Sequence, residues 1–416
     1  MMGRRSLGRR FRWLWAAYAV STAGTWLAFD AFPLIAIRVL HSGTTEVSLL
    51  AAAGLAVAAV VAVPLGPWVE FRRKRPVMVA MDLLRFTALL SVPAAFALGR
   101  LGFAQLVVVS VVVGAADIAF TSAAGACLKA LVRPEDRLVA NGRFESTTWT
   151  ATVLGPPLGG AAIGLFGPVM TVVANAVSYL LSAVAIRAIG GKEPRPARTG
   201  APTRLRAGDL LDGWRHILAD SALRPLFFNT VLVSGLIMAT MPSLAVLMLG
   251  PLGFSPWQYG LAFAVPCLGG LLGSRLASPL VERFGRHRVM LTAGALRACW
   301  SLGPAFIGPG TGGLVLVMAV EFGLITCMGV FNPVFATYRL DRTPTDRVAR
   351  TLSAWSITSK LTVAALTALW GLLAAVTGPR TAIAIAGLLL MTTPLLLPRR
   401  ERTSRHEPEP APSHSA

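Results

Sequence analysis

Apolar residues along this chain come in long blocks, parted by short polar connections. A helix that crosses ~30 Å of hydrocarbon needs ~20 mostly apolar residues. Twelve blocks meet that length, at 13–37, 47–69, 76–98, 104–127, 145–166, 168–189, 224–249, 258–281, 287–307, 313–337, 351–375 and 380–397, and are numbered here as spans 1 to 12. Gly and Pro occur freely inside several of them, which lipid-embedded helices tolerate better than soluble ones do. Only Phe166-Gly167 separates span 5 from span 6.

The connections are sorted by charge. The amino end carries Arg4, Arg5, Arg9, Arg10 and Arg12, and the second connection Arg72, Arg73, Lys74 and Arg75. Arg133 and Arg137 follow in the fourth, and six basic residues from Lys192 to Arg215 in the sixth. The eighth has Arg283, Arg286 and Arg288, the tenth Arg339, Arg342 and Arg347, and the tail Arg399, Arg400, Arg402 and Arg405. Odd connections hold almost nothing beyond Arg38, Arg100 and Arg380. Lys and Arg mark cytoplasmic loops, so both termini and every even connection are expected inside. The expected location is the cell membrane, crossed many times.

Composition agrees. The chain has 416 residues, 54% apolar and 14% charged, against roughly 25% charged in an ordinary soluble domain. That leaves too little polar surface for a soluble globule of this size. The formal balance of 39 − 19 = +20 would suit a nucleic-acid partner, but the cations are spread over separate loops on one face instead of gathered on one helix. The expected surroundings are a lipid bilayer, with no nucleic acid. Cys127, Cys267, Cys299 and Cys327 lie far apart in apolar runs without a CxxC pair, so neither a metal centre nor a disulfide framework is expected. The first apolar run is too long, and too unlike an A-x-A site, for a cleaved signal peptide.

The expected organisation is an N-terminal six-helix bundle over 1–189, a cytoplasmic linker over 190–223, a second bundle over 224–398 and a disordered tail over 399–416. The linker opens Pro-rich at Gly191-Lys192-Glu193-Pro194-Arg195-Pro196. Farther on, Leu210, Leu211, Trp214, Ile217 and Leu218 recur at helical spacing between Arg206, Asp209, Asp212 and Arg215. That predicts an amphipathic helix on the cytoplasmic membrane surface.

The halves repeat. At an offset of 212, Pro67 pairs with Pro279, Val69 with Val281, Glu70 with Glu282, Val77 with Val289, Met78 with Met290, Leu84 with Leu296 and Arg85 with Arg297. At 210, Pro134, Asp136 and Arg137 pair with Pro344, Asp346 and Arg347. Duplication of a six-helix unit explains this, and parallel six-helix halves are an architecture of alternating-access transporters.

The chain here resembles the major facilitator superfamily, whose signature between helices 2 and 3 is a Gly, an acid four positions on and a basic cluster. The first copy reads Gly66, Glu70, Arg72, Arg73, Lys74 and Arg75; the second keeps Glu282, Gly285 and Arg286 but has Ser278 in place of the leading Gly. A carboxylate facing guanidinium groups at a helix end forms charge-assisted hydrogen bonds that latch two helices, so these residues are gating candidates. Charge bias for topology is the plainer alternative. Span 5 contains Gly155-Pro156-Pro157-Leu158-Gly159-Gly160, similar to the Gly-Pro motif of drug-exporting members. Gly155 and Gly159 lie on one face and permit close backbone approach, and Gly269 and Gly273 in span 8 offer a matching surface. Phe11-Arg12-Trp13-Leu14-Trp15 and Asp82-Leu83-Leu84-Arg85 make the closest likeness the enterobactin and macrolide exporter branch. The Arg that many proton-coupled drug exporters carry in helix 4 is missing from Val107 to Cys127.

Ionisable groups inside a bilayer are costly and are functional candidates. They are Asp30 in span 1, Asp117 in span 4, Glu321 in span 10 and Lys360 in span 11, with Arg275 nearer the inside in span 8. The resemblance implies that helices 1, 4, 7 and 10 line a central cavity. Asp30, Asp117 and Glu321 are the proton-coupling candidates in that order, since a desolvated carboxyl can take up a proton near neutrality. Asp117 could instead pair with a cation on a neighbouring helix, Glu321 could sit near the outer interface, and Lys360 could be a counter-ion or bind an anionic cargo. Trp26, Asn229 and Asn332 complete the candidate cargo contacts with Asp30, Asp117, Glu321 and Lys360, with Phe29, Met238, Phe322, Trp149 and Trp355 as further aromatic or apolar candidates.

No phosphate-binding loop, HExxH, GxSxG or triad-like set occurs, so no enzyme activity is expected and no cofactor beyond an ion gradient, of protons by expectation. The expected protein is an all-α secondary transporter with twelve transmembrane helices, a monomer that exports an amphipathic small molecule such as a drug, natural product or siderophore. An importer or uniporter of a small organic solute, and a non-transporting receptor or scaffold, are the alternatives.

Overall fold

In a computed structural model of the chain, residues 7–28, 31–40, 50, 57–191, 193 and 211–398 are described. Asp30, Phe29, most of the Pro-rich linker and the tail beyond residue 398 lie outside the described residues. Among the described residues every regular element is a helix. Span 1 comprises Gly8–Leu27 and Ala31–Arg38, and span 2 ends in Leu65–Glu70. Spans 3 to 6 are Lys74–Ala97, Phe103–Leu131, Arg137–Phe166 and Pro168–Ala188. Spans 7 to 12 are Leu223–Leu249, Pro256–Phe284, Arg286–Trp300, Gly310–Arg342, Val348–Thr377 and Pro379–Thr392. Nine of the described helices are long and apolar enough to cross a bilayer. Spans 2, 5 and 9 are not among them. Span 2 is described only in part, span 9 is short, and the first turns of span 5 are rich in Ser, Thr and charge.

Spans 4, 5, 10 and 11 run past the apolar blocks that announced them, all at the end that carries the basic connections. Span 10 has 33 residues, about 50 Å at 1.5 Å per residue. Hydropathy marks where lipid stops, whereas the helix continues until Thr343-Pro344 breaks it. These polar extensions are where the two halves touch.

The repeat read from the sequence is visible in space. Arg85 is 2% exposed and lies over the rings of Phe120 and Tyr179 at 4.5 and 4.2 Å. Its partner in the repeat, Arg297, is 3% exposed and lies over Phe331 at 3.7 Å. Phe120 and Phe331 are 211 residues apart, between the offsets found on either side. Each guanidinium is thus buried against an aromatic face of the fourth helix of its half, where cation–π attraction offsets part of the desolvation cost. Asp82 completes the first site at 2.5 Å and Asn229 the second at 2.5 Å.

The glycines of span 5 have a different partner from the expected one. A Cβ at Gly155 would strike Trp26, and one at Gly159 the backbone carbonyl of Leu27, so this face packs on span 1. Gly269 and Gly273 instead admit Thr326, Phe322 and the backbone of span 10. Spans 5 and 8 do meet, but through Trp149 on Gly270 and Gly142 on the Ser274 carbonyl. Small-residue spacing identified faces that need close approach without saying which neighbour approaches.

The amphipathic linker helix is Asp212–Ala219. Gly213 sits on the backbone of Arg350, Trp214 Nε1 donates to Thr358 at 2.9 Å, and Ile217 is fully buried. Its apolar face is covered by span 11, leaving Leu211 and Leu218 exposed.

Gly159→Ala is expected to destabilise the protein by ~1–3 kcal/mol through overpacking against backbone that cannot yield. Gly160→Ala, with open space at its Cβ, is expected to be neutral. Thermal unfolding of the two variants in detergent, side by side, checks this.

Candidate functional site

The two halves are joined by a polar seam. At the basic end Arg137 donates to Asp341 at 2.7 Å, and Arg286 reaches the other oxygen of the same carboxylate at 2.6 Å. Lys129 Nζ donates to the Thr343 carbonyl. One layer deeper Asn141 donates to Thr337 at 2.9 Å, Ser122 pairs with Ser353 at 2.8 Å and Ser146 with Ser274 at 2.6 Å. At a similar depth Asn332 Nδ2 donates to Glu145 at 2.8 Å, and deeper again Lys360 donates to Asp117 at 3.1 Å. Among the described residues no hydrogen bond or ion pair between the halves lies farther from the basic end. Among the described residues, the polar contacts between the halves are thus gathered toward the basic end.

Glu70, the first residue beyond the second apolar block and a latch candidate, bonds across the halves to a different partner from the one expected. Its carboxylate accepts the backbone N–H of Arg350 at 3.1 Å, in the first turn of span 11. That turn has unpaired N–H groups and a partial positive charge, so a carboxylate from the other half caps it. The Arg350 guanidinium goes to Asp212 at 2.9 Å and over the ring of Phe71. Gly66 lets Ser353 approach. The basic cluster folds onto its own half: Arg72 stacks on Trp68, and Arg75 donates to the carbonyls of Gly190 and Gly191. Arg73 has no side-chain partner among the described residues. Lys74 Nζ donates to the Val69 and Glu70 carbonyls and closes the end of span 2. The second copy differs. Glu282 is exposed and has no partner among the described residues, while Arg286 acts through Asp341. The repeat keeps the sequence pattern of the latch but not its contacts.

Behind the latch lies a cavity of about 440 Å³ between the halves. Tyr18, Phe120, Phe144, Pro333, Leu352 and Trp355 give it an aromatic and apolar wall, and Glu145, Asn141, Asn332 and Arg339 the polar groups. Arg339 is held by the rings of Phe335 and Trp355, both at 5.1 Å. Glu145 accepts from Asn332 and from Trp149 Nε1 at 2.9 Å, and no cation pairs with it among the described residues. Spans 1, 3, 4, 5, 10 and 11 line this cavity; span 7 supplies none of its described lining, contrary to the expectation from helices 1, 4, 7 and 10. Glu145 was missed because the apolar block of span 5 begins there, which made it read as a boundary residue. The helix begins at Arg137, two turns earlier.

The other candidates are scattered. Asp117 is bridged by Lys360 and by Arg85 at 3.5 Å, the cation-paired alternative, which makes Lys360 its counter-ion. Glu321 is 3% exposed inside span 10 and does not line the cavity. Asn229 is fully buried within the second half, between Arg297 and the Thr393 carbonyl at 2.7 Å, and has no access to cargo there. Trp26 packs beneath Gly155. Among the described residues, Asn332 alone of the candidate cargo contacts lines the cavity, with Trp355 among the additional aromatic candidates.

Comparison with known proteins follows this geometry. The family model described as Major Facilitator Superfamily matches residues 14–324 and 226–415. The multidrug efflux pump Tap of Mycobacterium tuberculosis is 28% identical over 336 residues, covering 77% of this chain and 76% of that protein. A bacterial homologue of the iron transporter ferroportin, solved in an outward-facing state, superposes with a TM-score of 0.79 at 17% identity, over 94% of this chain and 98% of that one. The human organic anion transporter MFSD10 gives 0.74 at 16% identity, over 93% and 99%. These two likenesses concern the fold.

Burial raises the Glu70 carboxyl to about 7, against the opposing pull of Lys74 and Arg350. A raised value favours the protonated form in the closed state. The closed state is therefore favoured most below the ordinary carboxyl value of about 4.5 and loses that advantage as pH rises through about 7, because burying the ionised carboxylate costs more than its bond to the Arg350 N–H returns. Hydrogen exchange at the start of span 11, corrected for intrinsic rates, is expected to speed up between pH 6 and pH 8, roughly spanning that titration. Glu70→Gln should remove the pH dependence; a dependence that survives in this variant rules Glu70 out as its source.

Proposed function

As the chain belongs to the Major Facilitator Superfamily of transporters, we propose that it exports amphipathic small organic molecules by proton-coupled alternating access. The carrying observation is the coincidence of an unpaired acid with the seam: Glu145 faces the cavity and also bonds Asn332 of the other half. A proton or a cationic cargo arriving at Glu145 changes the same hydrogen bond that holds the halves together. Occupancy then acts directly on the rocking equilibrium, as differential binding requires. An acid without a cation partner can gain and lose charge without stranding a buried counter-ion. That favours Glu145, with Glu321 second, as the proton carrier over Asp117, whose neutralisation would leave Lys360 without a counter-charge.

Lys and Arg enrichment places the basic end in the cytoplasm, with both termini. With that orientation the pinned end faces inward and the open crevice outward. Export is supported by the relatives named as multidrug efflux pumps and by the Gly-Pro motif of span 5. A pocket with aromatic walls and one group of each charge suits amphipathic cargo. An importer with the same architecture would carry cargo from the open face inward.

Purified protein in liposomes with an imposed pH gradient tests this with a panel of amphipathic compounds. Wild type is expected to move cargo only with the gradient. Glu145→Gln should lose gradient-driven flux by at least about tenfold, the loss of ~1.4 kcal/mol or more of coupling, while keeping cargo exchange. Asp117→Asn should slow both modes, because it breaks an ion link and not the proton site. Equal wild-type flux with and without the gradient would refute coupling, and no flux at all would refute transport of this cargo class.

A further inference from the structure

A second, larger hollow lies on the flank of the molecule, outside the central cavity. It measures about 1090 Å³ and is formed by spans 1, 5 and 8. Its floor is the junction of the two halves, where Ser146 meets Ser274 and Gly142 admits the Ser274 carbonyl. Its chemistry is graded along the helices. Near the basic end stand Arg143 of the first half and Arg275 of the second, with Thr147 and Ser278. Toward the other end only apolar surface continues, through Leu154 and Leu158, which are 52% and 55% exposed.

Neither arginine has an acidic partner among the described residues. Arg143 has only the rings of Phe11 and Trp15 at 5.8 and 6.0 Å, the outer limit of useful cation–π distance. By contrast, Arg85 is matched by two carboxylates and Arg297 by an amide and a ring. Two unmatched cations on a lipid-facing surface are costly unless an anion reaches them from outside. From Arg143 to Leu158 the hollow runs about 22 Å along span 5 at 1.5 Å per residue, somewhat more than the ~15 Å depth of one leaflet.

We propose that this flank binds one anionic phospholipid from the leaflet at the basic end, its phosphate on Arg143 and Arg275 and an acyl chain along Leu154 and Leu158. The lipid bridges the halves only while the basic end is closed, since each guanidinium belongs to a different half. It therefore favours the conformation seen here. The inference requires that the helices cross a bilayer and is independent of what the protein carries.

The test uses the full-length protein with phosphatidylglycerol and phosphatidylcholine as probes and native mass spectrometry as readout. Wild type is expected to retain one phosphatidylglycerol in preference to phosphatidylcholine. Arg143→Gln and Arg275→Gln should each weaken that preference about fivefold, at ~1 kcal/mol per basic residue near the surface. Arg143→Lys and Arg275→Lys should keep most of it, and Arg224→Gln, outside the hollow, all of it. Retention unchanged in both Gln variants overturns the proposal. So does displacement by inorganic phosphate, which would make the site one for a free anion, or by an amphipathic cargo, which would make it a cargo path. If the Gln variants fail to fold, a photo-reactive phosphatidylglycerol on wild type decides: label on spans 1, 5 and 8 around the hollow supports the site, and label elsewhere refutes it.

Discussion

A polar group inside hydrocarbon has no water to fall back on, so each must find its partner within the protein or at its edge. That constraint arranges this molecule. Arg85 and Arg297 are satisfied inside their own halves by an aromatic face and a neighbouring carboxylate or amide. Other polar side chains of the long helices lie where the halves face each other, and there they bond one another: Asn141 to Thr337, Ser122 to Ser353, Glu145 to Asn332, Asp117 to Lys360. Pairing these groups at the junction keeps them off the lipid-facing surface.

The same arrangement makes the junction reversible. In a bilayer the tails are as apolar as leucine, so association of the halves rests on packing and on hydrogen bonds of ~1 kcal/mol each. A handful of such contacts holds one end shut, and the proposed function requires only that a proton or a cargo molecule outweigh that small total. The glycine contacts within each half are of another kind. Gly155 and Gly159 on span 1, and Gly269 and Gly273 on span 10, lock backbone against backbone. Rigid bundles joined by exchangeable bonds can rock without melting.

Much of this was legible in the sequence because its physics is local or additive. Apolar block length found the spans, and the repeat placed Arg85 opposite Arg297 in equivalent settings. What depended on which helix is whose neighbour was not legible. The glycine spacing of span 5 indicated a close approach, but its partner is span 1 and not span 8. Glu70 faces a helix end in the other half instead of the guanidiniums beside it in sequence. Glu145 looked like a boundary residue because hydropathy reports lipid contact, and span 5 carries two polar turns before its apolar block starts. Asn229 looked like a cargo contact until the partners that enclose it, Arg297 and the Thr393 carbonyl, were in view.

Reciprocal motion of the two ends is the claim on which transport by this fold rests. It is measured by double electron–electron resonance with spin labels at Arg133 and Arg288 for the basic end, and at Leu98 and Phe306, 72% and 67% exposed, for the other. Lowering the pH and adding a transported compound should shift the two distance distributions in opposite directions, one shortening as the other lengthens. Two distances that stay fixed while cargo moves, or that change in the same sense, would contradict the account.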